Sequence, residues 1–478
     1  MQKLKVGLVS VMYPEGYNSI SASTHEAALK DHQSAKTTIE NMGFEVITAS
    51  EGLTRTNLEF IEHGKYMKNQ DVDVLVIYVY QWLFSASAVD LVRIAGVPAI
   101  VWTHTYKTEQ GQKCGLVGGG ICRGALDAAG LTATLVHGAF DDQVKLKKIE
   151  KYIRGFGLVN QLRNTIIGVG GTMSMGMFPS QVDFAEMQSK FGIHIDGWDE
   201  RNLIDKSLEI SDEEAGVFYG WMENEFGEIT AKKDVIIAQI KMYLAVLNLI
   251  RENSYGAVCV RCLPELNEHH TTFCLAHAFL NGRFDDNGEK ETVVCGCEAD
   301  LMGTVTMQIL KCVSGGEPAY FGDTGVLDYE DNLIFTLNCG SSSFDFAASR
   351  KDVDWVPEEV YQVKWKMGGV CPSFIGAPGR ITIARLGKKG DAYRLMIASG
   401  ELVWKPAKYV FPDLVIDPGI PACDAPDTKV CQFYVKFDSP VDNFVELLRS
   451  NHMHFVRGDY VEALKVYCEA AGIVADVV

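Results

Sequence analysis

The first third of the chain alternates apolar runs with stretches of helical periodicity. The apolar runs are rich in Val and Ile and lack polar alternation, which is typical of parallel strands buried on both faces. Because strand and helix follow each other in turn, the pattern predicts a doubly wound α/β domain. The predicted strands cover 5–12, 43–50, 71–80 and 97–104, and the predicted helices cover 23–42, 57–68 and 86–94.

The same alternation resumes after a charged helical stretch at 142–155 and predicts a second α/β domain. This domain begins at the strand-like run NTIIGVGGT, at 164–172. Predicted helices at 231–252, 271–281 and 302–313 accompany two further buried runs, GAVCVRC and TVVCGC. The runs PAYFGD and LIFTLNCG that follow are also strand-like.

The last quarter of the chain has a different pattern. Nine of the fourteen prolines lie from Pro357 onward, and period-two alternation replaces helical periodicity in GRITIARL, AYRLMIAS and KVCQFYVKF. Proline together with short alternating strands indicates an antiparallel barrel or sandwich. The predicted architecture is therefore two doubly wound α/β domains, at 1–163 and 164–345, followed by a β-rich, barrel-like domain at 346–478.

Length and composition agree with about three domains and narrow the class of protein. The chain has 478 residues, of which 47% are hydrophobic and 22% charged, as in a globular protein with substantial cores. Its formal net charge of −18 argues against nucleic acid or an anionic membrane surface as a partner. No apolar run approaches the ~18 residues of a membrane span. Thirteen cysteines without a secretory signal indicate a reducing, cytoplasmic location.

Two motifs with possible chemistry have simpler structural explanations. The glycines of GVGG, at 168–171, follow a strand, but no third glycine falls at the dinucleotide-binding spacing, so a tight turn is favoured over a nucleotide site. The pairs Cys259/Cys262 and Cys295/Cys297 lie in strands, where alternate side chains face opposite sides. Buried core thiols are therefore favoured over a zinc site.

Three carboxylates follow buried strands and are the first candidates for a functional site. Glu298 and Asp300 come directly after TVVCGC, and Asp323 ends the run PAYFGD. Because ligands bind at the carboxyl edge of open α/β sheets, we expect Glu298 and Asp323 to meet there. Asp300 precedes a predicted helix, so we expect it to act as the N-cap. A cap or a loop salt bridge is also an open alternative for Glu298.

Two histidines in SNHMHFVRGD form a second candidate group. His452 and His454 are separated by one residue, so a strand places both on one face. A structural pair at a domain interface and a pair with a chemical role both fit this spacing.

Four motifs follow one another along the second and third predicted domains: CEADLMGTVTMQIL, PAYFGD, CPSFIGAPGRITIARL and NHMHFVRGD. In this order they resemble the L-fucose isomerase / L-arabinose isomerase superfamily, and most closely its fucose-isomerase-like members. The resemblance extends from about Arg261 to the end of the chain, whereas the first domain is similar only in its α/β character and length.

This resemblance implies a Mn²⁺-dependent aldose–ketose isomerase of a monosaccharide such as L-fucose or D-arabinose. Carried over by motif, the metal ligands are Glu298, Asp323 and His452, and the two carboxylates also serve as the acid/base pair. His454 occupies a position where no ligand is expected. Such proteins form trimers or hexamers, so a homo-oligomer is expected here.

The implied chemistry suits these residue types. An aldose–ketose isomerase moves a proton between C1 and C2 through an ene-diol, and the developing oxyanion needs a Lewis acid. Mn²⁺ accepts carboxylate and imidazole ligands and leaves positions for sugar oxygens, while carboxylates can transfer the proton. The second histidine of arabinose isomerases corresponds to Gly315 here, which favours the fucose-isomerase-like ligand set.

Four further residues are candidate substrate contacts, each with a structural alternative. Glu265 matches an acidic position of the family, or forms a loop salt bridge. Trp82 covers the site of a neighbouring subunit, or packs in a core. Asn338 stands where many relatives have a histidine. Arg380 binds an anionic group, such as that of an acid or sulfonated sugar, or is an exposed turn residue.

The sequence is thus compatible with three functions. The leading one is the aldose–ketose isomerase, including the variant that acts on an anionic sugar. A second is a sugar-binding or regulatory protein that keeps the fold without the chemistry. A third, a nucleotide-dependent dehydrogenase, depends on GVGG alone.

Overall fold

The structure is a computed structural model that describes residues 3–13, 22–108, 111–338, 342–357, 368–404 and 431–478. Two compact units make up the chain. The first comprises Met1–Gln161 and Glu462–Gly472, and the second comprises Leu162–Val461 and Ile473–Val478. The predicted division into three domains stays a prediction.

The first unit is built on a five-stranded parallel sheet, as its apolar runs predict. Its helices and strands are β1 Lys5–Val11, α1 Ala22–Asn41, β2 Glu45–Thr48, α2 Asn57–Asn69, β3 Val74–Val79, α3 Ser85–Ala95, β4 Ala99–Thr103, β5 Thr105–Thr108, β6 Gly111–Cys114, α4 Leu116–Ala128, β7 Ala133–His137 and α5 Gln143–Leu162. The strand order is β2-β1-β3-β4-β7, and β5 and β6 form a separate hairpin.

Both faces of this sheet are covered by helices. One face packs on α1, α5 and the C-terminal helix Val461–Ala471, and the other packs on α2, α3 and α4. Alternate residues of the central strand β3 enter the two cores: Val76 belongs to the first and Ile77 to the second. This explains why the strands are apolar throughout.

The second unit joins a four-stranded parallel sheet to a barrel of antiparallel strands. Its helices and strands, with the C-terminal helix α14 of the first unit, are β8 Ile166–Gly170, α6 Phe184–Phe191, β9 His194–Trp198, α7 Glu200–Glu209, α8 Asp212–Glu225, α9 Lys233–Asn253, β10 Ala257–Val260, α10 Glu265–His269, α11 Cys274–Asn281, β11 Phe284–Asp285, β12 Gly288–Glu289, β13 Val294–Cys297, α12 Leu301–Ser314, β14 Gly322–Asp328, β15 Leu333–Leu337, β16 Asp354–Pro357, β17 Val370–Ser373, β18 Gly379–Lys389, β19 Ala392–Val403, β20 Gln432–Phe437, α13 Val441–Leu447, β21 His452–Arg457, α14 Val461–Ala471 and β22 Val474–Val477.

The parallel sheet of this unit has the order β13-β10-β8-β9. All of its strand pairs are parallel, so their carboxyl ends lie along one edge. The seven-stranded sheet has the order β18-β21-β14-β15-β20-β19-β22, and β18 also pairs with β19. This extra pairing closes six antiparallel strands into a ring, with β22 added in parallel to β19.

The observed architecture confirms the predicted fold class of parallel α/β sheets followed by a β-rich, barrel-like part. Among the described residues, no helix has both the length and the apolar character that crossing a membrane requires. The ten cysteines whose side chains the structure describes are buried, as predicted for core residues.

Candidate active site

Glu298 and Asp300 lie where the chain leaves β13 and enters α12. Glu298 and Ala299 have positive φ angles of 57° and 51°, which turn the chain sharply at the carboxyl edge of the sheet. Asp300 then caps α12, its carboxylate accepting a hydrogen bond of 2.8 Å from the backbone N–H of Gly303. The predicted N-cap is confirmed. Glu298 is only 6% exposed and Asp300 is fully buried.

The register of the barrel places Asp323 and His452 side by side. They are direct partners in the antiparallel pair of β14 and β21. The prediction that Asp323 ends a buried strand was wrong, because Asp323 is the second residue of β14, a strand of the barrel. His452 is fully buried, whereas the side chain of Asp323 is 36% exposed. The amide of Asn451 donates a hydrogen bond of 3.0 Å to Oδ1 of Asp323.

The three residues implied as metal ligands converge on one point. Nε2 of His452 lies 3.4 Å from Oε2 of Glu298 and 3.6 Å from Oδ1 of Asp323. Neither His452 Nε2 nor Glu298 Oε2 has a hydrogen-bond partner within the described part of the chain, although both atoms are buried. One oxygen of Glu298 and the imidazole nitrogen of His452 therefore lie close together without a hydrogen bond, and the part-exposed Asp323 lies beside them.

Asp300 fixes the orientation of the His452 ring from behind. Its Oδ2 lies 2.7 Å from Nδ1 of His452, and Arg385 donates to both carboxylate oxygens of Asp300, at 2.7 and 3.1 Å. A carboxylate at Nδ1 directs the other ring nitrogen toward Glu298 and Asp323. The same arrangement orients histidine ligands in metalloproteins.

The electrostatics of the group follow from its burial and its charges. Burial opposes ionisation of Asp300, but Arg385 and His452 outweigh it and hold the pKa of Asp300 well below its usual range. Burial also lowers the pKa of His452, yet the carboxylates of Asp300, Glu298 and Asp323 raise it to about 9. The site therefore favours a positive charge at His452 Nε2.

His454 has a structural role rather than a place among the three converging side chains. Its Nε2 lies 2.9 Å from Nη1 of Arg385, and its Nδ1 lies 3.2 Å from the carbonyl oxygen of Tyr320. Burial and the neighbouring guanidinium keep the pKa of His454 well below its usual range. Gly303 makes room for this contact, because a Cβ there would lie 2.8 Å from Nε2 of His454.

A cavity of about 620 Å³ lies at the same sheet edge, at the ends of β8, β9 and β10. Arg261 lies between two carboxylates of the cavity: its Nη2 is 3.1 Å from Oε1 of Glu265 and 3.6 Å from Oε2 of Glu200. Burial raises the pKa of Glu200 to about 7, against the opposing effect of Arg261. Gly171, the last glycine of GVGG, has a φ of +84°, which confirms the predicted turn.

The predicted substrate contacts are not all brought together. Glu265 lines the cavity and pairs with Arg261. Asn338 is buried and follows Leu337, the residue paired with Asp323. Arg380 is engaged by Asp438, with one contact of 2.8 Å and a second between Nη2 and Oδ2. Trp82 lies after β3 in the first unit and is half-buried.

The sequence did not predict one residue of the site, Arg385, or one role of another, the contact of Asp300 with His452. The capping role of Asp300 was sufficient to explain it, so nothing demanded a histidine partner. Arg385 had a detectable signal: it is a charged residue inside the run ITIARLG, all of which is buried in β18. A buried guanidinium requires a carboxylate partner, which could have led to Asp300.

The chain resembles curated proteins that carry the name sulfoquinovose isomerase. The protein of Alkalicoccus urumqiensis is 25% identical over 335 residues, which cover 68% of this chain and 71% of the relative. That of Clostridium sp. (strain MSTE9) is 24% identical over 344 residues, covering 70% and 73%. That of Priestia aryabhattai is 22% identical over 349 residues, covering 70% and 73%. These relatives confirm the predicted enzyme class, an isomerase of the aldose–ketose type.

Two other comparisons add little. No family profile matches the chain. A solute-binding protein of an ABC transporter from Actinobacillus succinogenes, solved with bound D-allose, is 13% identical and covers 66% of this chain and 93% of its own. Its TM-score is 0.18, which supports no conclusion about fold or ligand.

Proposed function

We propose that the protein is a divalent-metal-dependent aldose–ketose isomerase whose substrate is an anionic, sulfonated sugar. The observation that carries the proposal is the convergence of Glu298, Asp323 and His452 on one point, with the Nε2 of His452 buried and unpaired. This ligand set is the one implied by the resemblance to fucose-isomerase-like enzymes.

The donor set suits a cation such as Mn²⁺. Two carboxylate oxygens and one imidazole nitrogen are hard to intermediate ligands of the kind that Mn²⁺ takes. Within the described residues, no three His, Cys, Asp or Glu side chains are already close enough to form a complete metal site. A bound cation would supply Lewis-acid stabilisation for the oxyanion that develops during isomerisation.

Residues of the chain would carry out the proton transfer and hold the histidine in position. Glu298, almost fully buried, and Asp323, part-exposed, are the pair that would move the proton between C1 and C2. The exposure of Asp323 allows its proton to exchange with solvent, whereas Glu298 is shielded. Asp300 acts as a positioning residue because it holds the His452 ring, and Arg385 acts through its hydrogen bonds to Asp300.

The choice of an anionic substrate is supported by the relatives. Their shared name, sulfoquinovose isomerase, specifies a sugar with a sulfonate group, and the likeness covers about 70% of this chain. L-fucose and D-arabinose, expected from the superfamily resemblance, are the neutral competitors of this proposal.

Removing either member of the carboxylate pair is expected to abolish turnover. Glu298→Gln and Asp323→Asn preserve shape but remove the charge and the base, so we expect sulfoquinovose isomerisation to fall by at least about 10³-fold, since a general base alone contributes about 10²–10⁴. Glu268→Gln is the control, because Glu268 is exposed and outside both the site and the cavity. Wild-type activity in both site variants would contradict the proposal.

Metal dependence and substrate choice have a separate test. The purified protein is treated with a chelator, reloaded with Mn²⁺, and assayed with sulfoquinovose, L-fucose and D-arabinose. We expect activity to disappear and return, with the highest kcat/KM for sulfoquinovose. Full activity after chelation would remove the metal from the mechanism, and a preference for a neutral sugar would remove the anionic substrate.

A further inference from the structure

The cavity beside Arg261 is not used by the proposed proton transfer. It lies at the carboxyl edge of a parallel sheet, where small molecules bind in open α/β folds. Its volume of about 620 Å³ falls in the range typical of ligand pockets. Trp198, Ile204 and Leu266 supply an apolar wall, and Arg261, Glu200 and Glu265 supply the polar groups.

The polar groups of the cavity are not satisfied by one another. Glu200 Oε1, Arg261 Nε and Glu265 Oε2 are buried without a hydrogen-bond partner in the part of the chain that the structure describes. The side chain of Glu200 is only 9% exposed. Buried polar atoms are normally paired, so unmet hydrogen-bonding capacity in three residues that line one cavity favours a polar ligand there. Two acceptors and one donor match hydroxyl groups, which both donate and accept.

The charges in the cavity argue against an anionic occupant. Arg261 is flanked by Glu200 and Glu265, and the other lining arginine, Arg201, is paired with Asp205 at 2.7 Å. Because each guanidinium already faces a carboxylate, neither of the two lining arginines is left to attract a sulfonate. The binding of a neutral polyol does not depend on an uncompensated positive charge, so these ion pairs do not weaken it.

Glycine allows the polar groups to close over the end of β8. A Cβ at Gly171 would lie 2.8 Å from Oε1 of Glu200 and 3.0 Å from Cβ of Arg261. A Cβ at Gly170 would lie 2.3 Å from the Trp198 ring, so the ring lies directly on the strand. The wall and the polar groups are thus held close to the sheet edge.

The cavity begins one strand away from the proposed metal ligands. Val260 pairs with Cys297 on one side and with Gly170 on the other. Arg261 and Glu298 are therefore the first residues past two neighbouring strands, which lie about 4.8 Å apart.

We propose that this cavity binds the uncharged, hydroxyl-bearing part of the sugar while Glu298 and Asp323 act on its reacting carbons. The inference rests on the proposed function for the identity of the sugar. It assigns Arg261 and Glu200 to substrate binding and excludes the anionic group from the cavity.

Filling the cavity tests this inference. Gly197 lines it, and a Cβ there would have only Val169 Cγ1 nearby, at 3.9 Å, so Gly197→Leu projects into open space. Gly216→Leu is the matched control, because a Cβ at Gly216 in α8 has no heavy atom within 4 Å. We expect Gly197→Leu to raise the KM for sulfoquinovose by about tenfold or more, the effect of losing one or two hydrogen bonds. The Mn²⁺ affinity of Gly197→Leu should be unchanged. The kinetics of Gly216→Leu should equal those of the wild type.

Binding to the metal-free protein separates the two ideas. With a chelator present, calorimetric titration is expected to give D-glucose and sulfoquinovose dissociation constants within about threefold of each other, both weakened about tenfold by Gly197→Leu. An unchanged KM and unchanged sugar binding in Gly197→Leu would overturn the inference. It would also be overturned if the metal-free wild type preferred sulfoquinovose to D-glucose and Gly197→Leu lost that preference. If the wild type isomerises no sugar yet binds both in this way, the proposed function fails and the cavity assignment stands.

Discussion

A single carboxylate, Asp300, does three things in the candidate site. It caps α12, accepts two hydrogen bonds from the Arg385 guanidinium and contacts Nδ1 of His452, which orients the ring. A fully buried carboxylate is stable only when such partners offset the loss of hydration. The same interactions that stabilise Asp300 therefore determine where the imidazole points, which couples local stability to the proposed metal site.

Replacing Asp300 by Asn is the prediction at this scale. Asn keeps the size of the side chain but removes the charge that orients His452, so we expect Mn²⁺ affinity to fall by about 10–100-fold, as for other residues that orient a metal ligand. The affinity is measured by titration of the metal-free protein. Asp183→Asn is the control because Asp183 caps α6 in the same way, away from the site. Equal affinities in the two variants would contradict the prediction.

At the scale of elements, α12 connects the parallel sheet to the barrel. It contacts β13, β18 and β21, and all but the last of its residues are buried. Its N-terminus lies at the carboxyl edge of the sheet, beside the strands that carry Arg385 and His452. Such close approach requires a small residue in the first turn, and Gly303 provides it.

Gly303→Ala should therefore destabilise the protein although alanine favours helices. The added Cβ would lie 2.6 Å from Asp300 Oδ2 and 2.7 Å from Arg385 Nη1. Overpacking of this kind costs about 1–3 kcal/mol. Gly216→Ala, in open space on α8, should instead raise stability by about 0.5–1 kcal/mol. Chemical denaturation of both variants measures the difference, and a stabilised Gly303→Ala would show that α12 can shift.

At the scale of the whole molecule, residues distant in sequence build one site. Asp300 and His452 are 152 positions apart: one belongs to the parallel sheet edge and the other to the barrel.

The trimer or hexamer expected from the resemblance stays a prediction, which light scattering of the purified protein would check. Trp82 is placed in the first unit, so its expected role in a neighbouring subunit depends on that result.

The pH dependence of global stability should contain a contribution from Glu200. Burial raises its pKa from 4.5 to about 7, so the folded state holds this proton more tightly than the unfolded chain. The stabilisation is present below about pH 4.5 and is lost as the pH rises through about 7. Glu200→Gln lacks this titration, so its unfolding free energy relative to wild type should increase by on the order of 2 kcal/mol from about pH 5 to about pH 8. A constant difference across this range would contradict the assigned pKa.

The sequence alone determined the succession of elements, because buried parallel strands, helices and alternating barrel strands leave distinct periodicities. It also placed Glu298 directly after a buried strand, and motif order pointed to Glu298, Asp323 and His452. Asp323 was expected to end a strand and instead lies near the start of β14. Only the tertiary structure decided that Glu298 and Asp323 lie beside His452, that Asp300, paired with Arg385, holds the imidazole, and that Arg261 and Glu200 line one cavity. Those contacts depend on strand register and sheet order, which periodicity along the chain does not encode, since it specifies the face of a strand and not its neighbour.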